Sequence, residues 1–329
     1  MRPQAVFQYP WVAMTMTFVL AACSANDGGS VIGASGNDGA AGSAPEAGQD
    51  AFVPSDGGSF ADVGVNEGGL NPACAAGTDS IYAVDKDNVL YRFDPEEPSL
   101  AAFSVVGPLG CEPGGPTPYD MTVARDGFAH VLYGSYSTFS KKAFTFRVNI
   151  ENGACDGFSW VKTGTADFWM FSMGFVSDAP GSSTETLYLV DNGATPARLA
   201  YVAKDTGAIV PVGTLPSEGD FLGTGDAELW GFFPGVQPPA VMRIDKNDGA
   251  VLETIPVQGL PPLGGGGWAY AFAFWGGSFY IFYVIDGTDS STNVWKLDMD
   301  GTLTLHLANT GLRIVGAGVS TCAPLDVPK

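Results

Sequence analysis

Ile314-Val315-Gly316-Ala317-Gly318-Val319 is a strand-like stretch with small residues at alternate positions, and it has counterparts upstream. These are Ser172-Met173-Gly174, Gly223-Thr224-Gly225 and Ala271-Phe272-Ala273, with Asp120-Met121-Thr122 as the weakest member. Their spacing is about 45–50 residues, the scale on which repeated structural units are recognised. In a strand, alternate side chains share a face, so one face of each stretch is nearly bare. A bare face is required where strands converge and large side chains would collide.

Working outward, each stretch is followed by a turn and a second apolar strand: Phe128 to Tyr133, Thr186 to Val190, Glu228 to Phe233, and Ser278 to Val284. A third strand ends in Asp or Asn ahead of a tight turn with Gly. Examples are Met242-Arg243-Ile244-Asp245 running to Gly249, Val202-Ala203-Lys204-Asp205 running to Gly207, and Val294-Trp295-Lys296-Leu297-Asp298 running to Gly301. Asp and Asn bond the turn backbone, and Gly supplies positive φ. A short fourth strand follows, as in Ile209 to Gly213 and Thr302 to Leu305. Four short strands per unit, repeated at this spacing, predict an all-β β-propeller of five four-stranded blades. The first unit begins at Ser80-Ile81-Tyr82-Ala83-Val84, which matches a second strand and leaves that blade without an inner one. The unpaired inner strand is Ile314–Val319, so the C-terminal strand is expected to complete the first blade.

The chain has five cysteines. Cys23 closes the motif Leu20-Ala21-Ala22-Cys23 at the end of a short apolar run from Trp11. That run is too short for a spanning helix of about 20 residues and reads as a signal peptide over residues 1–22. The motif resembles the lipobox of bacterial lipoproteins, which implies acylation of Cys23 and attachment to a membrane. Residues 23–72 are rich in Gly, Ala, Ser and Asp and hold no Lys or Arg. Such a segment cannot bury enough surface to order itself, so it reads as a tether spanning roughly 40 Å. The propeller is assigned to residues 73–325 and a tail to 326–329. The four remaining cysteines are even in number, as expected in an oxidising compartment. Of their three possible pairings the clasp favours Cys74–Cys322, because those residues flank the first and last strands, and leaves Cys111–Cys155.

The formal charge is −20, with 35 Asp and Glu against 15 Lys and Arg, which excludes nucleic acid as a partner. No cofactor-binding pattern is present and no metal site is expected. The Cys spacing is unlike a zinc site, and the Asp-rich turns at Asp85, Asp245 and Asp298 lack the distal Glu of a calcium loop. The two histidines, His130 and His306, fall on strands far apart, without a nucleophile motif. Asp120, Asp167, Asp220 and Asp226 lie near ends of inner strands, and paired carboxylates there would suit glycoside chemistry. Asp120, Asp220 and Asp226 are the catalytic candidates, with turn or capping roles as the ordinary alternative. Trp169, Trp230, Trp268 and Tyr270 are candidates for stacking on a ligand, with interblade packing as their alternative. Gly264-Gly265-Gly266-Gly267 reads as a mobile loop leading to Trp268.

In its repeats the region resembles extracytoplasmic propellers of the quinoprotein and NHL kind. Over its whole length the chain is similar to lipoproteins of myxobacteria and related bacteria. The shared pieces are Trp275-Gly276-Gly277, Gly223-Thr224-Gly225-Asp226, and Gly316 to Pro324. This likeness implies a lipid anchor and a secreted fold, and carries no activity. The resulting expectation is a binding or assembly module of the cell envelope, at the outer membrane, taking a glycan or an envelope protein. A glycan-acting hydrolase or lyase with axial carboxylates is the alternative.

Overall fold

The computed structural model describes residues 74–111, 113–135, 142–263, 269–285 and 291–328. Cys23, the tether, Gly264–Gly267 and Trp268 lie outside the described residues. Twenty strands form five four-stranded antiparallel sheets, and the described residues contain no α-helix. Blade 1 holds β1 (Ile81–Asp85), β2 (Val89–Phe93) and β3 (Phe103–Pro108), with the last strand, β20 (Ile314–Gly318), as its inner strand in the order β20-β1-β2-β3. Blade 2 runs β4 (Thr117–Val123), β5 (Phe128–Ser135), β6 (Lys142–Asn149) and β7 (Cys155–Phe158) from axis to rim. Blade 3 is β8 (Phe171–Ser177), β9 (Glu185–Asp191), β10 (Arg198–Val202) and β11 (Ile209–Thr214). Blade 4 is β12 (Asp220–Gly223), β13 (Leu229–Phe233), β14 (Ala240–Ile244) and β15 (Val251–Pro256). Blade 5 is β16 (Ala269–Trp275), β17 (Ser278–Val284), β18 (Asn293–Asp298) and β19 (Leu303–Leu307). The chain is a five-bladed β-propeller, closed as expected by the C-terminal strand.

Closure rests on the β1–β20 pairing, with Ala83 opposite Ala317 and Tyr82 opposite Gly318. A disulfide joins Cys74 to Cys322 just outside these strands. A second joins Cys111 to Cys155, fixing the link between blades 1 and 2. Two disulfides point to an oxidising, extracytoplasmic compartment. No helix among the described residues is long and apolar enough to cross a membrane.

Five buried apolar clusters lie between successive blades. Phe93 and Ala83 meet Phe282 and Ala273 between blades 1 and 5. Tyr82 and Val84 meet Val131 and Tyr133 between blades 1 and 2. The other three clusters fill the gaps from blade 2 to blade 5. The aromatic second strands supply these wedges. At the axis the reverse holds, and small residues let backbones touch. A Cβ on Gly316 would lie 2.9 Å from the Cα of Asp120, and one on Gly318 would lie 2.6 Å from the Cα of Thr122. A Cβ on Gly174 would lie 2.7 Å from the Cα of Leu222.

These contacts correct the repeat register in blade 4. Gly223-Thr224-Gly225 is not its axial pair, since β12 ends at Gly223 and the next two residues lie in a turn. The residues that face the following blade are Asp220 and Leu222. Gly223 faces back, where a Cβ would lie 2.7 Å from the Cα of Val176. The third strand of blade 3 also lies earlier than Val202–Asp205: β10 ends at Val202, and Ala203 onward forms the turn. Asp120 does not open its strand but lies in the middle of β4.

Candidate functional site

Inner strands leave backbone amides facing the preceding blade. Side chains on the preceding strand fill that role. Asp120 Oδ2 accepts from the Met173 amide at 2.7 Å, and Thr122 Oγ1 accepts from the Phe175 amide at 3.4 Å. Asp220 stands at the equivalent place beside the Phe272 amide of blade 5. Its Oδ1 accepts from the Phe221 amide at 2.8 Å, while its Oδ2 makes no hydrogen bond of standard geometry. Both carboxyls are buried, at 2% and 1% exposure. Burial pushes both well above the usual carboxylate range, and for Asp120 the charge of Asp220 adds to it. The amides of Met121 and Met173 oppose this for Asp120. The amides of Phe221 and Phe272 and the Ser172 hydroxyl oppose it for Asp220. The Asn192 amide then bridges Ser172 Oγ at 3.0 Å and the Gly219 carbonyl at 3.1 Å. The structure therefore brings Asp120 and Asp220 into one buried axial cluster, in which Asp120 bonds blade 2 to blade 3 and Asp220 stands beside the Phe272 amide of blade 5.

Asp226 is not part of this cluster. Asp220 opens β12 and Asp226 lies beyond its far end, so the two sit at opposite ends of the axis. Asp167 is exposed, in the short turn ahead of β8. Asp85 accepts from the amides of Asp87 and Val89, both at 2.9 Å, and Asp245 accepts from that of Asn247 at 2.8 Å; these are turn roles. Among the described residues no group of three or more His, Cys, Asp and Glu is placed to hold a metal.

The aromatic candidates separate. Trp230 is 2% exposed and packs on Phe279 at 5.1 Å between blades 4 and 5, with Nε1 donating to Glu228 at 3.0 Å. It is core, and no ligand can reach its face. Tyr270 is half-buried against Phe232 at 5.9 Å. Trp169 is half-buried over Gly193, whose Cβ would meet Nε1 at 3.2 Å. His130 is buried beside Phe175, paired with Ser159 Oγ at 2.8 Å, and burial depresses it to about 4. His306 lies between Phe93 and Tyr280 and is also depressed by burial.

An open site lies at the clasp end of the axis. A cleft of about 580 Å³ is bounded by Trp275, Leu325, Pro324, Asp226, Asp79 and Asp326, with the Cys74–Cys322 disulfide in its wall. The chain holds to the ring through this region. Gly276 donates to the Pro324 carbonyl at 2.9 Å, and Trp275 Nε1 donates to the Asp79 carbonyl at 2.9 Å. Beneath the cleft, Glu185 Oε1 accepts from the Arg125 amide at 2.8 Å and Oε2 from Thr321 Oγ1 at 2.7 Å. Burial lifts Glu185 to about 7, against the opposing pull of the Arg125 amide, the Thr321 hydroxyl and the Arg125 charge. Sequence reasoning missed this cleft, because its walls come from segments about as far apart as the ends of the domain.

No protein-family model matches the chain, and no curated protein matches it. Solved structures share its trace at low identity. A chain of the nidogen–laminin complex is 10% identical with a TM-score of 0.44, covering 73% of this chain and 97% of that one. A gluconolactonase from Xanthomonas campestris is 17% identical with a TM-score of 0.37, covering 61% and 68%. TolB from Acinetobacter baumannii is 8% identical with a TM-score of 0.40, covering 73% and 65%. At such distances these likenesses carry no argument about activity.

Proposed function

We propose that this propeller is a lipid-anchored binding module of the cell envelope that docks another envelope protein at the clasp-end cleft. The observation that carries this reading is the contrast between the axis and its clasp end. Along the axis, Asp120 and Asp220 are buried, and Asp120 is engaged by the Met173 amide of the neighbouring blade. At the clasp end, a cleft of about 580 Å³ is open and edged by the exposed carboxylates of Asp226 and Asp326. A hydrolase or lyase acting through Asp120 and Asp220 needs substrate to reach carboxyls that are 2% and 1% exposed. A glycan site built on stacking loses Trp230, which is core. The anchor rests on Leu20-Ala21-Ala22-Cys23, on the resemblance to myxobacterial lipoproteins, and on the pairing of every other cysteine. Ser24, rather than Asp, after Cys23 supports an outer-membrane location.

Two experiments test this reading. Palmitate labelling should mark the wild-type chain and not Cys23→Ser; continued labelling of the variant would remove the anchor. A photo-cross-linking residue at the exposed Val327, beside the cleft, should capture an envelope protein in intact cells. Equal capture from the exposed Val105 on the outer strand of blade 1 would remove the cleft as the docking site.

A further inference from the structure

The clasp-end cleft has a specific chemistry. Trp275, Ala323, Pro324, Leu325 and the Cys74–Cys322 disulfide make an apolar lining. Asp79, Asp226 and Asp326 lie along the same cleft, and Asp226 and Asp326 are exposed. None of the three forms an ion pair among the described residues. One basic residue, Arg125, also lines the cleft against these three carboxylates. It is 6% exposed, donates to the Ser182 carbonyl and to Cys74 Sγ, and lies beside Glu185.

An apolar cleft with an acidic edge selects a ligand that is apolar and cationic at once. Lysine and arginine meet that description, since their stems pack on apolar surface while the charged head reaches outward. The volume falls within the range of about 300–1,000 Å³ in which ligands are usually held, enough for a few side chains. The chain itself does not offer such an occupant upstream. Residues 24–72 contain no Lys or Arg and carry several Asp and Glu. A second copy is disfavoured too, because each brings a formal charge of −20.

The geometry points to a basic peptide segment of another envelope protein, with Lys or Arg flanked by apolar side chains, as the occupant of this cleft. The inference rests on the binding-module reading above and adds the chemistry of the partner. Charges at a cleft edge act on encounter rate and salt dependence, so binding weakens as salt rises.

The test uses the full lipidated chain in detergent micelles and two labelled probes, Leu-Lys-Phe-Lys-Leu amide and the same peptide with Glu for Lys. Fluorescence anisotropy should show the Lys peptide binding at least tenfold more tightly than the Glu peptide. Its affinity should fall between about 50 mM and about 500 mM salt, as the Debye length shortens from over 10 Å to a few Å. Asp226→Asn with Asp326→Asn should weaken it about tenfold, roughly threefold for each edge carboxylate. Both residues are exposed, so the melting temperature should not move, and unchanged melting guards against misfolding. Equal binding of both peptides, no binding of the Lys peptide, or full affinity in the double variant overturns the inference. The cross-linking from Val327 separates the two levels. Capture of an envelope protein through a neutral or acidic segment leaves the binding reading standing and removes the basic-peptide inference. Capture of residues 24–72 of the same chain removes both.

Discussion

Replacing Gly174 by alanine tests the physical reason for the small residues at the axis. The added Cβ would lie 2.7 Å from the Cα of Leu222, 2.9 Å from its carbonyl carbon and 3.0 Å from its amide nitrogen. Carbon atoms in good contact lie about 3.5–4.0 Å apart, so β8 and β12 would have to separate by about 1 Å. All three obstacles are backbone atoms, so no side-chain rotation relieves the overlap. Nor can β8 retreat freely, because β4 packs on its other side and bonds to it through Asp120 and Thr122. Overpacking of this kind costs about 1–3 kcal/mol, and the closed ring puts Gly174→Ala near the top of that range. For a domain of this size the cost lowers the melting temperature by about 6–12 °C. Urea unfolding followed by tryptophan fluorescence should show a lower midpoint with an unchanged slope. Gly110→Ala is the comparison: its nearest obstacle is the Cys155 amide at 3.2 Å, on the periphery of blade 2, and it should cost less than half as much. If Gly174→Ala stays within about 0.5 kcal/mol of wild type, the size of an ordinary surface substitution, crowding is not the reason for the small residues.

Three further outcomes follow from the same contacts. Glu185 rises from its ordinary 4.5 to about 7, so its contribution to stability is full below pH 4.5 and is lost as pH rises through 7. The displacement corresponds to about 3 kcal/mol, and Glu185→Gln should remove that fall; a wild-type-minus-variant difference that is flat from about pH 5 to about pH 8 refutes it. Loss of the Cys74–Cys322 link, with a separation of 248 residues, should cost up to about 5 kcal/mol, against about 4 for Cys111–Cys155 at 44. The reverse order in calorimetry would show that ring closure is not the main contribution of the clasp. Trp230→Ala should destabilise the fold by about 3–5 kcal/mol and leave peptide affinity in the folded fraction unchanged, as expected of a core residue.

Reading the sequence worked where a local pattern and a packing requirement coincide. Ser172-Met173-Gly174, Ala271-Phe272-Ala273 and Gly316-Ala317-Gly318 are all axial, and the orphan inner strand at Ile314 identified both the closure and the Cys74–Cys322 pair. It slipped in blade 4, where the axial positions are held by Asp220 and Leu222. A buried carboxyl stands there beside the Phe272 amide of the next blade, and nothing in composition signals that. Gly223 belongs to the opposite face, and Gly225 approaches the Thr321 carbonyl beyond the strand. The Asp residues near strand ends were legible as a group, but not their division between the two ends of the axis. That division depends on whether a residue opens a strand or follows it, a distinction of a few residues. The cleft depends on Asp79, Asp226, Trp275 and Leu325 meeting in space. The available local sign was Pro324, Asp326 and Pro328 after the last strand, which stop the chain from pairing further and turn it over the axis.

The two ends of the axis differ because the inner strands run in one direction around the ring. Gly316 faces Asp120 as Gly318 faces Thr122, and Asp120 bonds Met173 as Thr122 bonds Phe175. Every blade therefore presents the start of its inner strand to one end and the turn after it to the other. Within the axis and toward the starting end, polar side chains are consumed by neighbouring groups: Asp120 by the Met173 amide, and Asn192 by the Ser172 hydroxyl and the Gly219 carbonyl. At the other end the turns after β12 and β16 pair their backbones locally or with the clasp, as Ala227 does with Thr224 and Gly276 with Pro324. The side chains of Asp226 and Asp326 are thus left without structural duty. Groups free of structural duty can exchange water for a ligand without weakening the ring, whereas drawing Asp120 into binding would unpick its bond to the next blade. The acidic residue first marked as a catalytic candidate that retains a functional prospect is accordingly Asp226, through its charge on a cleft and not through proton transfer.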